Sequence, residues 1–319
     1  MKIAYCIPGL HNPSGMERVL TLKANYLSAQ GVDVHIILTD GKGKKRAFPL
    51  DERITVHQLD IDFEEPYRYT FIKRTLLYYR KMNQLEHRLN ECLNQIKPDI
   101  TVSLLRRDIN VMHKMTDGSI KIGEIHFDRL HYRHFHSPRW LPSCLHTAIE
   151  RRWMQSLIRK LQKLSAFVVL THEDAQYWPE LNNITVIPNP TSFFPEKTST
   201  CTNKQAIAAG RYTSQKGFDR LIAAWKQVAT KHPDWILTIY GDGALREQLS
   251  AQISKSGLQN CCHLKHSVKD ISTKLQESSI FILSSRYEGL PMILLEAMAC
   301  GPPAVAFTCP CGPRDLIRN

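Results

Sequence analysis

No apolar run in this 319-residue chain reaches the roughly 18 residues that a membrane-spanning helix requires. The start, Met1-Lys2-Ile3-Ala4-Tyr5-Cys6-Ile7, is broken by Pro8 too early for a secretory signal, and we read it as the first strand of a cytoplasmic protein. None of the nine cysteines belongs to a CxxC pair or to a His/Cys spacing of zinc type. That scattered, odd set reads as reduced thiols, with Cys309-Pro310-Cys311 left as a loop CxC rather than a metal site. The first loop, residues 8–15, has no GxGxxG, which argues against a nicotinamide enzyme even though Asp40 follows the second predicted strand. Acidic residues are in deficit, 30 against 42 lysines and arginines. The resulting charge of +12 asks for an anionic partner, whether nucleic acid, acidic membrane or a phosphate-bearing small molecule. No helix-turn-helix, RNA-recognition or zinc-finger pattern is present and the cations are spread along the chain, so nucleic acid is not the expected partner.

The length favours two domains. Residues 2–7 read as a buried strand, 16–30 as a helix ending at Gly31, and 32–38 as a second strand. Such a βαβ unit points to a parallel, doubly wound sheet. Further strands are expected at 100–104, 120–126, 166–171 and 185–187, with helical patterns between most of them. Periodicity stops in the proline-rich 188–195 stretch, read as a linker. It then restarts with strands at 205–209, 235–240, 262–266, 280–285 and 304–307, and helices at 218–231, 244–256, 270–278 and 291–300. The expected fold class is α/β, with Rossmann-like doubly wound domains over 1–195 and 196–319 facing a central cleft. Open sheets of this kind bind ligands beyond the carboxyl ends of their strands.

The richest stretch runs from Ile280 to Gly301: a buried strand, a short loop with Glu288-Gly289-Leu290-Pro291, then an almost wholly apolar helix. Pro291 suits a first helical turn and Gly301 a carboxyl cap. Glu296 interrupts the apolar helix, and a carboxylate there needs a hydrogen-bond partner or a ligand. Glu288 stands at the strand's carboxyl end, where the N–H groups of Gly289 to Met292 favour an anion. Eight residues apart, mostly helical, the two glutamates should be roughly 10 Å or more from each other. That is too far for the about 5–5.5 Å of a retaining glycosidase pair, so they read as hydroxyl-binding groups along an extended ligand. The loop Gly210-Arg211-Tyr212-Thr213-Ser214-Gln215-Lys216-Gly217, directly after a strand, offers a guanidinium and an ammonium suited to phosphate oxygens. Cations in one loop and acids in the other would suit an extended ligand that carries both phosphate and hydroxyl groups.

Arg211…Lys216-Gly217 followed by Glu288-Gly289-Leu290-Pro291…Glu296-Ala297-Met298-Ala299-Cys300-Gly301 resembles the family-4 retaining glycosyltransferases of the GT-B fold. Ser14-Gly15-Met16-Glu17-Arg18 and Ile187-Pro188-Asn189-Pro190 resemble them more loosely. The resemblance implies that Arg211 and Lys216 hold the diphosphate of a nucleotide-sugar donor, Glu288 its sugar hydroxyls and Glu296 its ribose. Gly289 and Leu290 would supply backbone N–H groups, and Gly15 would permit close approach of phosphate and acceptor. A histidine near the transferred sugar is also implied, and His126 is the candidate, while the nearby His131, His134 and His136 are not read as a metal site. The family uses no metal and no other cofactor; UDP is the favoured carrier and GDP the second. It continues past residue 319 into a last strand and terminal helices, so the expectation is a donor domain lacking its end, with activity affected. An epimerase or phosphorylase on the same fold, or an inactive donor-binding fragment, is the alternative.

Residues 67–81 and 151–163 interleave aromatics with cations, as basic amphipathic helices at anionic membranes do. We therefore expect a glycan or lipid-linked acceptor and peripheral contact with the inner face of the plasma membrane. Asp60-Ile61-Asp62 imitates the DxD of metal-dependent sugar transferases but falls outside any donor pattern and is read as a surface coincidence.

Overall fold

The structure, a computed structural model, describes residues 1–63, 65, 70–132 and 143–317. It divides into two compact units, Met1–Pro190 and Thr191–Asn319. The divide precedes residue 195 because Phe193 already packs on the second unit's core and Ser192 bonds to Glu296 there.

The first unit runs β1 (Lys2–Ile7), α1 (Gly15–Ala29), β2 (Asp33–Leu38), β3 (Thr55–Gln58), α2 (Phe71–Ile96), β4 (Ile100–Ser103), α3 (Ile109–Met112), β5 (Ile120–Glu124), α4 (Ser143–Leu161), β6 (Ala166–Val169), α5 (His172–Gln176) and β7 (Ile184–Val186). Its seven strands are all parallel in the order β3-β2-β1-β4-β5-β6-β7. Apolar clusters cover both faces, which is why β1 after Lys2 is a continuous buried run instead of alternating. On α2, Leu85, Leu89 and Leu93 recur every fourth residue and are fully buried. The edge strand β3, Thr-Val-His-Gln, is polar and only half-buried, so it gave no strand signal.

The second unit runs β8 (Gln205–Ala209), α6 (Phe218–Lys231), β9 (Ile236–Tyr240), α7 (Arg246–Lys255), β10 (Cys262–Lys265), α8 (Ile271–Gln276), β11 (Ile280–Leu283), α9 (Met292–Cys300), β12 (Ala304–Ala306) and α10 (Pro313–Leu316). Its parallel order is β10-β9-β8-β11-β12. Strand order therefore reverses between β1 and β4 in one sheet and between β8 and β11 in the other. At such a switch point the two loops leaving the carboxyl ends diverge to opposite faces and leave a crevice, the usual ligand position in open α/β sheets.

Several boundaries differ from the sequence reading. β5 ends at Glu124, two residues before His126, because the Ile125 amide gives the last ladder bond, to the Val168 carbonyl. Pro291 is the N-cap of α9 rather than a first-turn residue: its ψ of 106° is extended, and its carbonyl accepts from the Leu294 amide. The α9 helix is less completely buried than its composition implies, with Met298 45% exposed. No helix among the described residues is long and apolar enough to cross a membrane.

Candidate active site

The 210–217 loop leaves β8 and the 284–291 loop leaves β11, adjacent strands at the second switch point. Lys216 Nζ lies 2.6 Å from Glu288 Oε1, and Ser285 Oγ donates to that same oxygen at 2.6 Å. Both charged side chains are largely buried, 15% and 7% exposed. Cation and acid thus form one cluster, not opposite ends of a ligand as read from the sequence. Opposite charges brought together inside a protein neutralise much of a desolvation cost that either alone would carry.

The loops are fastened backbone to backbone. Gly217 adopts φ 62°, and a Cβ on it would stand 2.1 Å from the Ser284 carbonyl oxygen, so no side chain fits. Ser284 Oγ donates to the Lys216 carbonyl at 2.8 Å, and the Arg286 amide to the Gln215 carbonyl at 2.8 Å. The Arg286 guanidinium makes a fork with Asp219 on α6 at 2.8 and 2.6 Å, and its hydrogen bonds hold that carboxyl below its ordinary range. The fully buried Tyr212 pins the first loop to the neighbouring strands, its single hydroxyl proton shared between the carbonyl oxygens of Lys265 (2.6 Å) and Ile239 (2.9 Å). The stem of Lys216 crosses Gly210, where a Cβ would meet it at 3.2 Å. Arg211, by contrast, projects into solvent, and its guanidinium has no hydrogen-bond or ion-pair partner among the described residues.

Glu296 is buried, 2% exposed, and accepts a 2.6 Å hydrogen bond from Ser192 Oγ. The N–H groups of Gly289 and Leu290 have no acceptor among the described residues. Gly312, at φ 75°, packs on this loop: a Cβ there would lie 2.5 Å from Pro291 Cδ and 3.2 Å from the Gly289 carbonyl oxygen. Ser285 stands near Glu288 in sequence and could have been anticipated. Ser192 lies 104 positions from its partner and carries no local signal.

In the first unit, Gly15 opens α1 and a Cβ on it would meet nothing within 4 Å, so the chain's own packing does not demand glycine there. His126 is nearly buried, and its Nε2 lies 3.1 Å from Glu124 Oε1 without hydrogen-bond alignment. Lys23 Nζ on α1 approaches the two oxygens of Glu124 at 2.7 and 2.5 Å. Burial alone would raise the Glu124 carboxyl, but His126 and then Lys23 override it and bring it down to about 2. Sequence reasoning missed Lys23 and Glu124, which come together only through the fold. His131 bonds to Asp128 at 2.8 Å, while His134 and His136 lie outside the described residues. In the DxD-like triplet Asp60 pairs with Lys42 and Ile61 is buried. Among the described residues no group of three His, Cys, Asp or Glu side chains is disposed to hold a metal ion.

Comparison with known proteins bears on this arrangement. The chain shares its fold with GT-B glycosyltransferases: S. aureus TarM superimposes at TM-score 0.75 with 16% identity, covering 100% of this chain and 88% of TarM. WaaB, a lipopolysaccharide outer core galactosyltransferase, superimposes at 0.71 with 18% identity, covering 100% and 84%. Residues 191–319 match the family model described as glycosyl transferases group 1. An uncharacterized glycosyltransferase of Haemophilus influenzae is 30% identical over 329 residues, covering 100% of this chain and 84% of the relative. The amylovoran biosynthesis glycosyltransferase AmsD of Erwinia amylovora is 27% identical with the same coverage. The chain belongs to the glycosyltransferases, with the group 1 model falling on its second unit and the GT-B fold shared with the solved structures.

The Glu124 cluster has a pH signature. Because the folded carboxyl titrates at about 2 against an ordinary 4.5, its contribution to stability is present above about pH 4.5 and is lost as pH falls toward 2. Urea midpoints measured across that window should fall more steeply for the parent than for Glu124→Gln. Parallel acid limbs would show that the cluster does not hold the carboxylate in its charged form.

Proposed function

We propose that this enzyme transfers a sugar from a nucleoside diphosphate, with UDP as the favoured carrier, to a glycan or lipid-linked acceptor. In this reading the anomeric configuration is retained and no metal takes part. The observation that carries the reading is the Lys216–Glu288 pair, buried at the switch point beside the free Arg211. An incoming diphosphate competes with Glu288 for Lys216 and meets Arg211 and the N–H groups of Gly289 and Leu290. The Glu288 carboxylate, relieved of its partner, then accepts from the donor's sugar hydroxyls, while Glu296 accepts from the ribose. As the bond from the anomeric carbon to phosphate breaks, the growing charge on the departing oxygen is met by fixed cations and the start of α9, which stabilise it without a Lewis acid. The acceptor oxygen bonds to the same carbon on the same face, and its proton passes to the departing phosphate. By the family resemblance, Gly15 admits phosphate or acceptor above the start of α1, and His126 serves the transferred sugar. TarM has been solved with UDP, which supports the choice of carrier, and AmsD acts in amylovoran biosynthesis, which supports a polysaccharide product.

We also assign a membrane contact to the first unit. The start of α2 exposes Leu76 (68%) and Tyr79 (65%) among Lys73, Arg74 and Arg80, and that of α4 exposes Leu145, Ile149 and Trp153 beside Arg151 and Arg152. Apolar side chains rimmed by cations suit an anionic lipid surface.

Two measurements check these readings. UDP and GDP should raise the melting temperature of the parent, UDP more, with most of the shift lost in Lys216→Ala and Glu296→Gln. Removing Lys216 also strands a buried carboxylate and costs about 3–5 kcal/mol by itself, so the ligand-induced shift, not the absolute melting temperature, is the readout. Equal shifts in parent and variants would remove the site assignment. For the membrane, the parent should co-sediment with anionic vesicles at low salt and be released as salt rises, whereas no binding at low salt would end that assignment.

A further inference from the structure

The acid buried in α9 is held by a hydroxyl from outside its own helix. Glu296 lies in the second turn of α9, on a helix whose Leu294, Ala297 and Cys300 belong to the core of the second unit. Ser192 Oγ donates to Glu296 Oε1 at 2.6 Å. Ser192 belongs to a strap, residues 191–199, that is fastened to this helix region at both ends. At its start Thr191 Oγ1 donates to the Phe193 carbonyl at 3.2 Å, and Phe193 packs on the core cluster that includes Leu294 and Ala297. At its end the Ser199 amide donates to the Cys300 carbonyl at 2.7 Å, and Ser199 Oγ to the Ser278 carbonyl at 2.6 Å. Gly301 closes α9 at φ 92°, where a Cβ would stand 2.8 Å from Thr198 Cβ.

These fastenings hold the strap whether or not residue 192 carries a hydroxyl. The Ser192–Glu296 bond therefore matters less to the strap than to the acid. A glutamate side chain is rich in rotamers, and fixing it on binding costs entropy. A hydroxyl at 2.6 Å from one oxygen fixes the carboxylate before a ligand arrives, so that cost is already met in the empty site. Because the acceptor is ionised, the bond is stronger than one between neutral groups. It does not use the acid up. A carboxylate offers about four acceptor positions over its two oxygens, and Ser192 takes one.

We infer that Ser192 is a positioning residue for the donor's ribose: its hydroxyl sets the Glu296 carboxylate in the orientation that receives the ribose hydroxyls. Ser192 acts through Glu296, so its effect exists only for nucleotides that carry those hydroxyls. A residue that merely propped up the strap would act on every nucleotide alike. The inference rests on the transferase reading above, and within it on Glu296 as the ribose acceptor.

Calorimetry on the full chain tests it with two probes, UDP and the UDP analogue that lacks both ribose hydroxyls. The parent should bind UDP more tightly than the analogue. Ser192→Ala, and the near-isosteric Ser192→Cys with its weak thiol donor, should each weaken UDP about tenfold. The same variants should bind the analogue within about twofold of the parent. Ser192→Thr keeps the hydroxyl and should hold UDP within about threefold of the parent. Undiminished UDP binding in both variants without the hydroxyl overturns the proposal. Equal weakening of UDP and the analogue also overturns it, since Ser192 would then support the fold and not the ribose contact. So does a threonine variant as weak as the alanine one. Failure of the donor reading looks different: Lys216→Ala and Glu296→Gln would then bind UDP as the parent does, whatever residue stands at position 192.

Discussion

An ammonium and a carboxylate 2.6 Å apart, both mostly withdrawn from water, are the constraint around which the second unit is arranged. A pair in that position is tolerated only with good geometry and further hydrogen bonds, and the surrounding sequence supplies both. Ser285 satisfies the same carboxylate oxygen, Gly217 allows the two loops to touch at their backbones, and the Arg286–Asp219 fork locks them to α6. Strand order contributes as much as side chains do. Because β8 and β11 are neighbours with helices on opposite faces, residues 72 positions apart meet at one crevice. In the proposed reaction the same pair is a store of charge: it is neutral overall while the site is empty, and a diphosphate divides it into a cation for phosphate and an acid for sugar.

The first unit repeats the switch-point plan with different electrostatics. Its buried carboxylate, Glu124, is held charged by Lys23 and His126, which fixes the surroundings of the one histidine that the family resemblance singles out.

Much of this was legible in the chain. Most strands are short apolar runs bounded by Gly, Pro and polar residues, so their existence and succession along the chain could be read, and Glu296 announced itself as the acid within an apolar helix. Element ends were less readable, because they depend on which neighbour still offers a ladder partner, as at His126. β3 was lost because a half-buried edge strand needs little hydrophobicity. The contact between Lys216 and Glu288 was not legible, since spacing along a helix predicts distances within one element and not across two loops.

The central claim, that the donor diphosphate is held where the β8 and β11 loops meet, is tested most directly by a crystal structure of the protein with UDP. The account predicts phosphate oxygens within hydrogen-bond distance of Lys216 Nζ and the Arg211 guanidinium, a lengthened Lys216–Glu288 separation, and the ribose hydroxyls on Glu296. A nucleotide bound elsewhere, with the Lys216–Glu288 pair still closed, would contradict it.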